Sequence, residues 1–195
     1  MISNDTLSPG FLIASPRLDG SVFERTVIVM VQHDVEGAMG FIVNRPIEVD
    51  LGTLLEMVDV DQDQISKACY EETVFFGGPV RVEQLWVIED QQSQFSPSSE
   101  DDIEFLPGWK VVTSAETIKH MALGAEKGTF RPYMGFAGWG PGQLEGEIAD
   151  GSWLLLDFDA ELVFSADLKN VWSQALERLG ISETVFMLMG KAGEA

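Results

Sequence analysis

The feature that most constrains the fold is a pair of apolar segments joined by a short polar turn. The first segment, Arg25 to His33, reads RTVIVMVQH and is mostly β-branched or apolar. Such a run is typical of a strand that is buried on both faces. Residues 34–37 (DVEG) suit a turn, and residues 38–43 return as a second strand. The sequence therefore predicts a β-hairpin in the interior of a sheet.

Other segments alternate between strand and helix character along the chain. Strands are predicted at residues 10–14, 73–76, 84–89, 109–113, 130–138, 152–156 and 161–164, and helices at residues 51–58, 114–124, 141–151 and 168–179. Residues 90–102, which are rich in serine, glutamine and acid, predict a solvated loop. Hairpins mixed with short helices indicate an α/β fold of the mixed, α+β-like kind. We expect a single domain over residues 1–195, with a large mixed β-sheet covered by short helices.

Composition places the chain among ordinary globular proteins. Hydrophobic residues make up 45% and aromatic residues 10%, which is too apolar for a disordered chain. No apolar run approaches the ~20 residues that a membrane-spanning helix needs, and residues 1–10 lack a basic or apolar leader. The single cysteine, Cys69, cannot form an internal disulfide. We therefore expect a cytoplasmic protein without a membrane partner.

The charge of the chain narrows its possible partners. Lysine and arginine number 12 against 32 aspartate and glutamate residues, which gives a formal net charge of −20. Such a surface repels phosphate backbones, because affinity for nucleic acid depends on cationic contacts. Nucleic acid is therefore not an expected partner, whereas a basic protein is.

A glycine-rich segment, GFAGWGPGQLEGEI at residues 135–148, is the most distinctive motif of the chain. It lacks the G-x-G-x-x-G spacing of a dinucleotide site, and no G-x-x-x-x-G-K-[ST] loop occurs in the sequence. Pro141 suits the first position of a helix, with Gly140 as its cap and Gly151 as its stop. The motif therefore predicts a turn from a strand into a short helix.

Two interpretations of this motif remain open. In the first, free N–H groups at the helix start bind an anion or a carbonyl group. In the second, the glycines allow close packing, Trp139 is buried, and at least one motif glycine has positive φ. The second is favoured, because helix starts are far more common than ligands bound to them. The residues that a ligand would contact in the first interpretation are Gly138, Gly140, Gly142, Gln143 and Glu147.

Arginines form a second pattern in a chain that has few cations. Arg25, Arg45, Arg81 and Arg131 lie beside predicted strand ends or glycine turns. If the fold gathers some of them, they form a cationic pocket for a small anionic ligand. The other interpretation, which is favoured, is that they pair with the surplus of carboxylates. The further candidate ligand contacts at these strand ends are Asn44, Gly77 and Gly78.

Neither the cysteine nor the histidines indicate catalysis. A nucleophilic Cys69 would need a base such as His33 or His120 nearby. The favoured interpretation is that Cys69 is a small buried residue. No G-x-S-x-G elbow is present, and the sequence therefore predicts no catalytic residue.

An acidic segment, DVDQD at residues 59–63, has the composition of the start of a calcium-binding loop. That loop needs glycine at its sixth position and glutamate at its twelfth, where this chain has Gln64 and Tyr70. A solvated acidic turn is the favoured interpretation. The sequence predicts neither a metal nor a cofactor.

Short motifs in a defined order identify a family. They are FLIASP at 11–16, FERTV at 23–27, GAMG at 37–40, NRP at 44–46, GGPV at 77–80 and GWGPGQLE at 138–145. In order and spacing they resemble the YqgE/AlgH family of bacterial proteins, over about residues 11–180. The resemblance implies a single cytosolic α/β domain with a large mixed sheet, and no established activity or agreed catalytic residues.

One branch of that family is named for a proposed role in regulating alginate synthesis, and it is often described as a transcriptional regulator. This chain has no helix-turn-helix pattern and is strongly acidic. Regulation is therefore expected to act through a protein or a small ligand rather than through DNA contact.

The leading hypothesis is a non-enzymatic regulatory protein that binds a small anionic ligand or a basic protein. The alternative is an enzyme acting on a small anionic substrate, with Glu147 or Glu24 as base and arginines as clamps. The enzyme is favoured if Arg25, Arg45 and Glu147 line one pocket.

The net charge of −20 predicts no measurable affinity for duplex DNA at physiological salt. A mobility-shift assay across a salt series checks this. A salt-dependent shift at sub-micromolar protein would contradict it.

Overall fold

The predicted hairpin lies inside a ten-stranded sheet in the computed structural model of the protein. The structure describes residues 7–57, 60–90, 102–113, 122–123 and 129–192, with side chains to residue 188. The strands of these residues are β1 (Gly10–Ala14), β2 (Val27–Asp34), β3 (Gly37–Ile42), β4 (Pro46–Asp50), β5 (Thr73–Phe76), β6 (Val80–Glu89), β7 (Ile103–Leu106), β8 (Trp109–Val112), β9 (Phe130–Trp139) and β10 (Trp153–Asp157). The predicted β2–β3 pair is confirmed, and Val27 to Val31 are buried.

The sheet is mixed, as expected. Its main path runs β10-β1-β2-β3-β9-β6-β8-β7 with antiparallel neighbours, while β5 pairs in parallel with β9 and antiparallel with β4. The helices of the described residues are α1 (Leu51–Met57), α2 (Gln143–Ala149), α3 (Ala160–Val163), α4 (Val171–Arg178) and α5 (Glu183–Ala192). The predicted fold class is therefore confirmed.

The two faces of the sheet pack against different helices. Along β1, Phe11 and Ile13 belong to one hydrophobic cluster, and Leu12 and Ala14 belong to another. Alternate residues of a strand point to opposite faces. The first cluster is completed by Trp172 and Leu176 of α4, and the second by Leu144 of α2 with Trp139. The two helices therefore cover opposite faces of the central strands.

The predicted strand at residues 161–164 is wrong, because α3 forms there instead. The Asp159 carboxylate accepts a hydrogen bond of 2.9 Å from the Glu161 N–H and so caps a helical turn. Leu162 and Val163, which belong to this helical turn, are buried. A short apolar run does not distinguish a strand from a buried helical turn.

Other differences concern element ends and omissions. β4, which was not predicted, begins at Pro46, a strand position where a missing N–H is tolerated. β7 and α5 were not predicted. The predicted helix at 114–124 falls outside the described residues except for 122–123, and the predicted loop at 90–102 falls outside them between 91 and 101.

Glycines allow β5 and β9 to approach closely at one end. The Gly77 N–H donates to Met134 O at 2.9 Å, and Gly77 O accepts from the Ile42 N–H at 2.9 Å. A Cβ on Gly77 would lie 2.2 Å from Gly135 O, and one on Gly78 would lie 2.2 Å from Phe136 C. Both obstacles are backbone atoms and cannot turn away. These glycines are therefore required by packing.

Replacing Gly77 by alanine is expected to lower the free energy of unfolding by about 3 kcal/mol, because the added methyl group overpacks a rigid backbone contact. Denaturant unfolding measures this. Gly146→Ala is the matched control, since a Cβ there meets nothing within 4 Å and should stabilise helix α2 by about 0.5 to 1 kcal/mol. Equal midpoints for Gly77→Ala and wild type would contradict the packing role.

Candidate anion-binding cleft

A cleft of about 620 Å³ opens where β2 begins and β3 ends. Its walls are the segment at 44–46, the segment at 166–169 that leads into α4, and the first turn of α4. Among the predicted ligand contacts, Arg25, Asn44 and Arg45 line this cleft. These three residues therefore lie together in one cleft, and their role in binding stays a prediction.

The cleft is cationic although the chain is acidic. Arg25, Arg45 and Lys169 line it together with a single carboxylate, that of Asp167. The Asp167 carboxylate accepts hydrogen bonds of 3.1 and 2.9 Å from Asn170 Nδ2, within the turn before α4. The lining therefore carries an excess of positive charge in a protein of net charge −20. Local charge of this kind concentrates small anions.

Asn44 holds the backbone that carries Arg25. Its side chain is buried, its Oδ1 accepts from the Val27 N–H at 3.0 Å, and its Nδ2 donates to Arg25 O at 2.9 Å. Arg25 has φ of 51°, a left-handed conformation that is rare outside glycine. Such strain persists only where surrounding contacts impose it, and it clusters at functional sites. Asn44 is therefore a positioning residue for Arg25.

The Arg25 side chain also has two defined contacts. Its guanidinium lies 4.9 Å from the centre of the Trp172 ring, and its Nη2 lies 2.6 Å from Glu183 Oε1. The favoured ion-pair interpretation therefore holds for Arg25. Arg45 donates instead to the backbone carbonyl of Glu24.

Arg131 does not line the cleft, but its side chain forms hydrogen bonds to the backbone beside two of the cleft walls. Its buried guanidinium donates to Val43 O at 3.3 Å and to Ser165 O at 3.1 Å. These carbonyls directly precede the wall segments at 44–46 and 166–169. The guanidinium also stacks on the Phe75 ring at 4.2 Å. Arg81 is separate and contacts Gln84 Oε1 at 3.5 Å.

The glycine-rich motif forms a corner on the opposite face of the sheet. Trp139 is 7% exposed, and Gly142 has φ of 73°, so both features predicted by the corner interpretation are confirmed. The helix begins at Gln143 rather than at Pro141, and its cap is Gly142 rather than Gly140. The reason is a turn closed by the Gln143 N–H donating to Gly140 O at 3.1 Å.

The polar groups of this corner bond to one another. The Glu147 carboxylate accepts from Trp139 Nε1 at 2.9 Å, from Trp153 Nε1 at 2.8 Å and from Gln143 Nε2 at 2.9 Å. Gln143 Oε1 in turn accepts from the Gly140 N–H at 3.1 Å. The Gly140 N–H and the side chains of Gln143 and Glu147, three groups that the anion-binding interpretation assigned to a ligand, are therefore bonded within the corner. Burial opposes the ionised form of Glu147, but the three hydrogen bonds outweigh it and hold its pKa below the ordinary value.

The predicted residues thus divide into three places. Arg25, Asn44 and Arg45 line the cleft. Gly77 and Gly78 pack against β9. The corner residues Gly138, Gly140, Gly142, Gln143 and Glu147 do not line the cleft, and the elements that carry them pack on the other face. Among the described residues, this cleft therefore does not combine the arginines with the helix start.

Of the other residues considered for catalysis, those that the structure describes do not line the cleft. Glu24 Oε2 accepts from the Gly20 N–H at 2.9 Å within its own loop. Cys69 is buried, and burial raises the pKa of its thiol, which opposes activation. His33 Nε2 lies 3.0 Å from Glu145 Oε1, and His120 lies outside the described residues.

Within the described ranges, no three histidine, cysteine, aspartate or glutamate side chains are placed to hold a metal ion. No helix in the part of the chain that the structure describes is long and apolar enough to cross a membrane.

Lys169, Trp172 and Ser173 also line the cleft and were not predicted as site residues. All three fall within the predicted helix at residues 168–179, which carried no binding signal. The other cations of the cleft, Arg25 and Arg45, are distant from Lys169 in the chain, so no local pattern joined them.

Similarity to known proteins agrees with the motifs. Residues 11–184 match a family model described as AlgH-like. The chain is 36% identical over 189 residues to a UPF0301 protein of Ralstonia pickettii, covering 97% of this chain and 95% of that protein. It is 36% identical over 194 residues to a UPF0301 protein of Shewanella sp. strain ANA-3, covering 98% and 100%.

Solved structures show the same fold. The solution structure of the AlgH protein from Pseudomonas aeruginosa matches with a TM-score of 0.78 and 30% identity, covering 95% of each chain. A crystal structure from Corynebacterium diphtheriae matches with a TM-score of 0.68 at 18% identity, covering 96% of this chain and 93% of that one.

Glu147→Gln is expected to destabilise the protein by about 1 to 3 kcal/mol at neutral pH, because an amide cannot accept all the hydrogen bonds that the carboxylate accepts. The folded-state pKa lies below the ordinary value of 4.5. The stabilisation is therefore complete above that value and is lost as pH falls through the folded pKa. The difference between variant and wild type should shrink in acid.

Urea unfolding at neutral and acidic pH measures this difference. Glu48→Gln, on the exposed side of β4, removes the same charge and serves as control. A gap between Glu147→Gln and wild type that stays constant down to strongly acidic pH would refute the assignment.

Proposed function

This chain belongs to the AlgH-like family, and we propose that it is a non-enzymatic protein that binds a small anionic ligand in the cationic cleft. The observation that carries the proposal is the gathering of Arg25, Arg45 and Lys169 in one cleft of a strongly acidic protein. Cations placed together in this way repel one another, and an anion between them offsets that repulsion.

The lining suits a small organic anion. Guanidinium groups match the geometry of carboxylate and phosphate oxygens and bind them with charge-assisted hydrogen bonds. Leu168, Pro46 and Trp172 add apolar surface beside the cations. The volume of about 620 Å³ lies within the usual range of small-molecule sites. A compact carboxylate or phosphate ester is therefore the class of ligand proposed.

A binding role is better supported than catalysis. The acid that lines the cleft, Asp167, is engaged by Asn170, while Glu147 and Glu24 are engaged elsewhere. A general base must lie within hydrogen-bond reach of the proton that it removes. Neither Glu147 nor Glu24, the bases that the enzyme alternative named, is among the described residues that line the cleft.

We further infer a regulatory role in the cytoplasm. A chain with one cysteine, Cys69, suits a reducing compartment. Binding without turnover is the behaviour of a sensor, and an acidic surface favours readout by a basic protein rather than by DNA.

Small phosphate esters and carboxylates are expected to bind the protein, while neutral analogues of the same size do not. Ligand-observed NMR measures this. Arg45→Ala and Lys169→Ala should each weaken binding about tenfold or more, because each removes a charge-assisted contact.

Arg81→Ala is the matched control, since it removes the same charge from a residue outside the cleft lining. Affinities that are equal in all these variants would overturn the proposed site. Preferential binding of neutral analogues would overturn the ligand class.

A further inference from the structure

Arg25, one of the cations that line the cleft, already binds a carboxylate that belongs to the chain itself. Glu183 is the first residue of α5. Its Oε1 lies 2.6 Å from Arg25 Nη2, and its Oε2 accepts a hydrogen bond of 2.5 Å from Ser173 Oγ. Both Arg25 and Ser173 line the cleft. One carboxylate oxygen therefore meets a guanidinium and the other meets a hydroxyl.

This arrangement is the one that an oxyanion ligand would adopt. A guanidinium and a hydroxyl directed at the two oxygens of one carboxylate form a complete recognition pair. An incoming carboxylate or phosphate that uses Arg25 and Ser173 must replace the Glu183 carboxylate, because the same donors cannot serve both at full strength. Ligand binding and the docking of α5 are thereby opposed.

We propose that Glu183 is a displaceable internal ligand, so that an oxyanion entering the cleft competes with helix α5 for Arg25 and Ser173. The inference rests on the proposed function and names its regulation.

The contact is suited to displacement. The side chains of Arg25 and Glu183 are 45% and 36% exposed, and exposed ion pairs contribute little net stability. Asn44 holds the backbone of Arg25, and the Arg25 guanidinium lies 4.9 Å from the centre of the Trp172 ring, a contact that does not depend on Glu183. When the ion pair breaks, Glu183 on α5 is therefore the side chain that moves away, while Arg25 keeps its contact with Trp172.

Release of Glu183 would act on the docking of α5. Phe186 lies 6.1 Å from the Trp172 ring, centre to centre, and α5 also contacts the turn at Pro16–Leu18. Val185 and Leu188 are exposed on the same helix. Loosening α5 would change the apolar surface that this end of the molecule presents. By thermodynamic linkage, the factor by which the anion weakens the docking of α5 equals the factor by which docked α5 weakens binding of the anion.

The experiment uses the full chain with inorganic phosphate and succinate as separate probes. Dissociation constants are measured by NMR titration for wild type, Glu183→Gln and Glu161→Gln. Glu161 forms an exposed ion pair with Arg178, which does not line the cleft. This control removes the same charge from a pair of the same kind.

Glu183→Gln is expected to bind the probes roughly two- to fivefold more tightly than wild type, the factor set by an exposed ion pair. Glu161→Gln should bind as wild type does. Amide hydrogen exchange in residues 183–192 of wild type should speed up at saturating probe, while exchange in residues 143–149 should not. A gain with one probe alone supports the inference and identifies carboxylate or phosphate as the preferred oxyanion.

Failure of the two proposals can be told apart. If neither probe binds wild type or Glu183→Gln, the proposed function is overturned, and this inference with it. If the probes bind wild type and Glu183→Gln equally and α5 exchange is unchanged, the anion site stands and the internal ligand is overturned. A gain of equal size in Glu161→Gln would also overturn it, because net charge alone would then explain the effect.

Discussion

Burial of both faces of β2 is the constraint on which the rest of the structure depends. Val27 to Val31 are all buried, and a strand of this kind needs covering elements above and below it. Helix α4 covers one face and α2 covers the other. The cleft lies against α4, and the glycine-rich corner leads into α2. The separation of the two sites therefore follows from the strand between them.

Two buried polar side chains beside this apolar core form hydrogen bonds to the backbone. Asn44 bonds to Val27 and Arg25, and Arg131 bonds to the carbonyls of Val43 and Ser165. Buried polar groups must find partners, and those that bond to backbone fix loops that would otherwise be free. The walls of the cleft are therefore positioned by hydrogen bonds from buried side chains to the backbone.

The cationic cleft contrasts with the acidic charge of the chain as a whole. With 32 acidic residues against 12 basic ones, most surfaces repel anions. Arg25, Arg45 and Lys169 nevertheless share one cleft, and Arg25 pairs with the Glu183 carboxylate. The proposed binding of a small anion rests on this contrast between the cleft and the rest of the chain.

Local patterns determined the hairpin, most strands, the apolar side of α4, the positive φ within the glycine-rich motif and membership of the family. These depend on side-chain periodicity and on steric properties of glycine, which act over a few residues. Tertiary structure decided that α3 is helical, and that the corner and the arginines lie on opposite faces. It alone brought Arg25 to Glu183, 158 positions away, because contacts between distant segments arise only when the sheet and its helices pack.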